Sequence, residues 1–315
     1  MLLVAAKLDI ADRLAGGARN ASDLAEELGL HAPSLYRFMR TLAGMGVLME
    51  VDDQTFTLTE LGHALKTDAP GSARATILTL TGPLCSQSWD RLLYSLETGK
   101  TGFEDAYGKS LFDHLAEHPE EASLFSETMV GFHSAEPPAV AAAYEFDELD
   151  SIVDIGGATG NMLVNILQRH ERPRGVLFDL PHVISDAPAF IKEHRLQERI
   201  SIEAGSFFEA VPAGLDAYIL SHIIHDWDED ECQAILRNCR RAVGSESRLL
   251  IVEMVLPEGD TPHAGKMLDM MMLVGPGGQE RNRNEYAAML GQADFELTRV
   301  VPTDSDVSIV EAVPV

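Results

Sequence analysis

Two patterns of apolar positions divide the chain. From residue 150 onward, short apolar runs alternate with stretches of helical spacing. The runs SIVDIG (151–156), GVLFDL (175–180), RISIEAG (199–205), LDAYILSH (215–222) and RLLIVEMVL (248–256) read as strands. FELTRVVP (295–302) and VSIVEAVP (307–314) read as two late strands. Helices are expected at 160–170, 182–194, 229–243 and 285–293. This strand–helix alternation predicts an α/β fold with a largely parallel sheet covered on both faces. Such sheets bind ligands beyond the carboxyl ends of their strands.

The first part of the chain has a different grammar. The apolar start MLLVAAKLDIADRLAGG carries Lys7, Asp9, Asp12 and Arg13, so it reads as an amphipathic helix rather than a secretory leader. NASDLAEELGL (20–30) predicts a helix begun by a capping Ser22. APSLYRFMRTLAGMGVL (32–48) predicts a second, closed by Gly44 and Gly46. LMEVDDQTFTLTELG (48–62) alternates like two strands around Asp52-Asp53. Helix, turn, helix and hairpin make a winged-helix pattern, which serves either DNA binding or dimer packing. Between the two grammars lies a helical region in which Pro119 starts one helix and Pro137-Pro138 another. Trp89, Phe112, Phe125 and Phe132 are expected in its core, with Met129 and Phe132 as alternative walls of a substrate pocket. Three parts follow: 1–80, a winged-helix domain; 81–147, a helical connection; and 148–315, a ligand-binding α/β domain.

Charge chooses between the two uses of a winged helix. Residues 1–80 hold seven Lys/Arg against ten Asp/Glu, and the second helix offers only Arg37 and Arg40. Phosphate contacts dominate DNA affinity, so dimerisation is the expected role. The whole chain, at −26, is equally unsuited to nucleic acid or an anionic membrane. No apolar run reaches the roughly 18 residues that span a bilayer. Cys85, Cys232 and Cys239 form no disulfide framework and no metal-ligand spacing, which suits a reducing cytoplasm.

The candidate chemistry begins at SIVDIGGATGNMLVNIL (151–167), where a strand runs through glycines into a helix. A dinucleotide fingerprint needs G-x-G-x-x-G, and Gly156-Gly157-Ala158-Thr159-Gly160 lacks that spacing. A phosphate-binding P-loop needs a Lys that is absent here. What remains is Asp154, a tight glycine turn and an open helix N-terminus suited to an anionic group. The plain alternative is a turn that only packs strand against helix. Asp179 stands nineteen residues after Gly160, at a strand end, where a carboxylate can accept from ribose hydroxyls. The missing fingerprint favours S-adenosylmethionine over NAD, because S-adenosylmethionine has no pyrophosphate to cradle.

With GSFFEAVPAGLDAYILSHIIHDWDEDE (205–231), IVEMVLPEG (251–259) and GPGGQERNRNEY (275–286), nearly the whole chain resembles the class I S-adenosylmethionine-dependent O-methyltransferases of small molecules. It is closest in pattern to the metal-independent group of plant caffeate-type and bacterial polyketide-tailoring enzymes. The resemblance implies a Rossmann-like sheet, mostly parallel with its last strand antiparallel, and an N-terminal, mainly α, winged-helix dimerisation domain. It implies a homodimer, a small aromatic (phenolic) substrate and no metal.

Carried over by position, Gly156 and Gly157 line the methionine half of the cofactor, Asp179 holds the ribose and Leu180 lies beside the adenine. Ser206, Phe207 and Phe208 border the adenine, and Ser221 and Trp227 close the near side. His225 is the general base, Asp226 helps set its surroundings, and Glu253 and Glu280 flank and orient it. His222 is the rival base, ranked second because it falls on the strand side of the motif. Met267, Asp269, Met270 and Met271 are expected to wall the substrate, though helix core explains them too. Ala158 stands where many relatives have glycine and should restrict the turn. Two other readings compete: a cofactor-binding relative with diverged chemistry, hydroxylation or decarboxylation, and a ligand-sensing winged-helix regulator.

Overall fold

A computed structural model describes residues 1–69 and 71–315, which fall into two compact units. One comprises Met1–Arg91 with Asp105–Ser134, the other Leu92–Glu104 with Ala135–Val315.

In the first unit the expected helix pair and hairpin are present, as helices Ala21–Leu28 and Ala32–Gly44 and strands Leu48–Asp52 and Thr55–Leu58. A two-residue strand, Arg19–Asn20, adds to the hairpin edge. Leu24, Leu35, Met39, Leu42 and Phe56, all nearly inaccessible, form the core they share. Three expectations need correction. The amphipathic start is two short helices, Leu2–Lys7 and Ile10–Leu14, because Asp9 adopts a left-handed conformation (φ 52°) between them. The cap of Ala21–Leu28 is Asn20, whose side chain accepts from the Ser22 N–H; Ser22 lies inside the helix. Phe112 and Phe132 are not core in this chain: they remain 40% and 45% exposed.

The second unit is built on a seven-stranded sheet. Its strands are β1 (Ser151–Ile155), β2 (Arg174–Asp179), β3 (Ile200–Ala204), β4 (Ala217–Ser221), β5 (Arg248–Glu253), β6 (Phe295–Pro302) and β7 (Ser308–Pro314). Their spatial order is β6-β7-β5-β4-β1-β2-β3. All pairings are parallel except those of β7, which runs antiparallel to both β5 and β6.

The twofold alternation of side chains divides each central strand between two cores. Ile152, Ile219, Leu250 and Val252 enter one, while Val153, Ile155, Tyr218, Leu220, Leu249 and Ile251 enter the other. Helices cover both faces, which is why these strands read as continuous apolar runs rather than as alternation.

Two local departures position the site. The run RLLIVEMVL is not one strand: β5 stops at Glu253, and Val255–Leu256 pairs instead, in parallel, with Arg281–Asn282. The helix expected over 182–194 is a 3-10 turn, Ile184–Asp186, followed by helix Ala187–Glu193. Among the described residues, no helix is long and apolar enough to cross a membrane.

Candidate active site

The sheet order reverses between β1 and β4, so the loops after these strands open a crevice at the carboxyl edge. The glycine turn leaves β1 there. Gly156, at φ 73°, donates its N–H to the Phe178 carbonyl (2.8 Å). A Cβ at Gly156 would strike Ile223, and one at Gly157 would strike the Asp154 carboxylate and Leu177. Ala158 is also left-handed (φ 49°), a conformation costing a non-glycine residue about 1–2 kcal/mol. Its N–H donates to Asp179 Oδ2 (3.0 Å), and the Leu180 N–H donates to Asp179 Oδ1 (2.7 Å). The Asp179 carboxylate is thus fixed in direction, with acceptor capacity left on each oxygen.

Asp154 lies directly beneath this turn, 1% exposed, and neither of its oxygens has a hydrogen-bond partner. Burial, and then the neighbouring charge of Asp179, pushes its carboxyl up to about 7. Buried polar groups of this kind call for a partner. An orphaned acid below a turn that admits no side chains, beside an oriented second acid, fits a ligand carrying a positive group and vicinal hydroxyls. S-Adenosylmethionine has both.

The far side of the crevice is aromatic. Phe207 and Phe208 follow β3, and their rings lie 4.9 Å apart. Trp227 meets Phe208 edge-on at 4.8 Å and Phe207 at 6.0 Å. Ser206 turns this loop, its Oγ accepting from the Phe208 N–H (3.3 Å). Leu180 is 38% exposed beyond Asp179, and Ser221, half-buried, ends β4. The structure therefore gathers Asp154, Gly156, Gly157, Asp179, Leu180, Ser206, Phe207, Phe208, Ser221 and Trp227 along this one edge of the sheet.

Beyond Ser221 the chain makes the 3-10 turn Ile224–Asp226. His225, 6% exposed, places Nδ1 at 2.6 Å from Glu280 Oε1. Glu280 is 1% exposed, and its backbone N–H donates to Asp269 Oδ1 (2.9 Å). Glu253 was expected to orient the ring, but it holds the backbone instead: its Oε1 accepts from the His225 N–H (3.1 Å) and its Oε2 from the Tyr286 hydroxyl. Asp226 Oδ1 is 3.6 Å from His225 Nε2. Burial pulls the imidazole toward its neutral form. The charges of Asp226, Glu253 and Glu280, with the Glu280 hydrogen bond, outweigh burial and raise it to about 10.

His222, the rival base, also lies past the strand end, left-handed at φ 53°. Its Nε2 sits 2.6 Å from Oε2 of the buried Glu136, and its ring centroid is 5.1 Å from that of His225. Two imidazoles, each paired with a buried carboxylate, thus stand side by side. On helix Gly265–Val274, Met270 and Met271 are half-buried and Met267 is 66% exposed. Met129 and Phe132 belong to helix Pro119–Phe132 of the first unit.

Sequence reasoning missed Tyr286, Arg281 and Glu136. All three act across long chain separations. The one signal that pointed toward the first two was their place in GPGGQERNRNEY. Burial pushes the thiols of Cys232 and Cys239 up to about 12 and that of Cys85 to about 11, which favours the protonated form of each.

Comparison with known proteins adds an independent finding. A family model described as an O-methyltransferase domain matches residues 89–296, and one described as an O-methyltransferase dimerisation domain matches residues 1–68. Over 314 residues the chain is 42% identical to phenazine O-methyltransferase PhzM of Lysobacter antibioticus, covering 100% of this chain and 92% of that protein. The crystal structure of LaPhzM aligns with a TM-score of 0.92 at 42% identity, covering 100% of this chain and 94% of that one. The structure of NcsB1, an O-methyltransferase from neocarzinostatin biosynthesis in complex with S-adenosylmethionine and 2-hydroxy-5-methyl naphthoic acid, aligns at 0.86 with 32% identity, covering 100% of this chain and 95% of that one.

Proposed function

The chain belongs to the O-methyltransferase family, and on that premise we propose that it methylates a hydroxyl of a small aromatic secondary metabolite, with His225 as the base. S-Adenosylmethionine is the family's methyl donor, and when bound it supplies an electrophilic methyl on a cationic sulfur. Gly156, Gly157 and Asp154 are assigned to its amino-acid half, Asp179 to the ribose, and Leu180, Ser206, Phe207, Phe208, Ser221 and Trp227 to the adenosine end.

The observation that carries the reading is the buried His225–Glu280 pair, 2.6 Å apart, with His225 on the loop beside the glycine turn. With Nδ1–H donated to Glu280, Nε2 is the nitrogen that takes the hydroxyl proton, and Glu280 stabilises the imidazolium formed. A phenol of pKa ~10 needs such help at neutral pH. The surrounding acids favour the protonated imidazole. A cationic methyl donor, held by the residues of the glycine turn, would lower that proton affinity and favour the neutral form a base needs. Holding hydroxyl and methyl in line supplies the rest, ~7–11 kcal/mol in favourable cases.

Met267, Asp269, Met270 and Met271, on and around helix Gly265–Val274, are assigned to the acceptor pocket. Residues 1–68, which match the dimerisation model, are assigned to a homodimer. The test is product mass. Incubation with S-adenosylmethionine and a panel of phenolic naphthoates and phenazines should yield an acceptor heavier by one methylene. A hydroxylated or decarboxylated product would overturn methyl transfer.

A further inference from the structure

The guanidinium of Arg281 is buried, 3% exposed, and no step described so far uses it. Its Nη1 donates to the carbonyl oxygens of Gln279 (3.1 Å) and Ile224 (3.4 Å). Its Nη2 lies 3.5 Å from Glu229 and 3.7 Å from Cys232 Sγ. Ile224 is the residue before the base, and Gln279 is the residue before the acid on its ring. The Gln279 N–H donates to the His225 carbonyl (2.8 Å), closing the same seam from the other side. A Cβ at Gly278 would collide with that carbonyl, so the two segments are in direct backbone contact. Two carbonyls need only neutral donors. A buried cation costs several kcal/mol unless opposite charge compensates it, and Glu253 and Glu229 provide that charge.

We propose that Arg281 is a positioning residue for the base, fixing the His225–Glu280 pair through the two carbonyls and offsetting part of the acid charge around the imidazole. The proposal rests on the reading of His225 as base. The titratable groups facing that ring are Asp226 and His222 on its own loop, Glu253 at the end of β5 and Glu280 just before strand Arg281–Asn282. Asp269 and Tyr286 bond to those last two acids in turn. Left unopposed, these acids hold a proton on the imidazole and prevent it from accepting another. Arg281 opposes them through Glu253, the acid whose charge reaches both the guanidinium and the imidazole.

The test uses the full chain saturated with S-adenosylhomocysteine. The His225 ring is titrated by NMR in wild type, Arg281→Met and Arg281→Lys, with His225→Asn to assign the signal. Arg281→Met should raise proton affinity about tenfold and move the acid limb of kcat/KM to higher pH. Arg281→Lys keeps the charge, so its midpoint should return to within about twofold of wild type, while kcat stays several-fold low for want of the paired carbonyl contacts. An Arg281→Met midpoint equal to that of wild type, in folded protein that still binds S-adenosylhomocysteine, would overturn the proposal. Failure of the wild type to methylate any phenol would instead sink the functional reading, and the titration midpoints would stand apart from it.

Discussion

The glycine turn after β1 and the histidine loop after β4 sit at neighbouring strand ends and are built on opposite plans. The turn relies on backbone: left-handed Gly156 and Ala158, an acid with no partner at Asp154, and an acid aimed by two N–H groups at Asp179. The histidine loop relies on side chains: Glu280 on the ring, Glu253 on the backbone, Tyr286 behind Glu253 and Arg281 across the seam. The first leaves polar groups unpaired, and the second pairs nearly all of its own. Substitutions in the turn should therefore change cofactor affinity, and substitutions in the loop should change turnover.

The largest expected effect separates the two directly. Glu280→Gln should lower kcat by roughly 10²-fold or more, because the imidazolium loses its counter-charge, while S-adenosylhomocysteine affinity stays within about threefold. Asp179→Ala should do the reverse, weakening that affinity by more than about tenfold, since two charge-assisted hydrogen bonds of ~1.5–3 kcal/mol each are lost. Calorimetry and steady-state kinetics on both variants check the pair. A shared phenotype would erase the distinction.

Next comes Tyr286→Phe, which leaves one oxygen of the fully buried Glu253 without its donor. An unsatisfied buried acceptor costs about 1–3 kcal/mol, so thermal unfolding should begin several degrees lower. An unchanged Tm would mean that Glu253 finds another donor.

The two regions also differ in their pH windows. Asp154 is lifted from 3.8 to about 7, so the unfolded chain releases this proton first, and ligand-free stability from this group falls as pH rises between those values. His225 is lifted from 6.5 to about 10, so its stabilising contribution is complete below 6.5 and lost as pH rises through about 10. Affinity for S-adenosylhomocysteine, which carries a cationic amino group, should weaken as pH drops through about 7 and Asp154 protonates. Asp154→Asn should flatten that profile; an unaltered profile would detach Asp154 from the cofactor. The smallest effect is that of Ala158→Gly. Relief of the left-handed strain is partly offset by a more flexible unfolded chain, leaving a gain of no more than about 1 kcal/mol.

The same contrast explains what was legible in the sequence. The strands and the glycine turn are local features: apolar runs buried on both faces, then residues without side chains. Their positions were read to within a residue or two, except that the strand from Arg248 was carried three residues past its end at Glu253. Backbone punctuation set by context was not legible. Nothing in LLVAAKLDIADRL announces the break at Asp9, and the exchange of partners after Glu253 depends on where Arg281–Asn282 falls in space. At the site, His225, Glu253 and Glu280 were found through a resemblance in pattern, but their division of labour was not. Glu253, at the end of β5, holds the backbone N–H, while Glu280, beside the ladder that carries Arg281, holds the ring. Tyr286, Arg281 and Glu136 are polar residues buried by partners far along the chain, and no local period marks them.

The role of His225 is decided by a single-turnover methyl-transfer assay on His225→Ala, with S-adenosylhomocysteine titrated into the same preparation by calorimetry. With His225 as the base, binding should stay wild-type-like and the rate of methyl transfer should fall by roughly 10²–10⁴-fold. Transfer near the wild-type rate in protein that binds the ligand normally would remove His225 from the chemistry and leave the acceptor proton to another group, with His222 and Glu136 the first pair to examine.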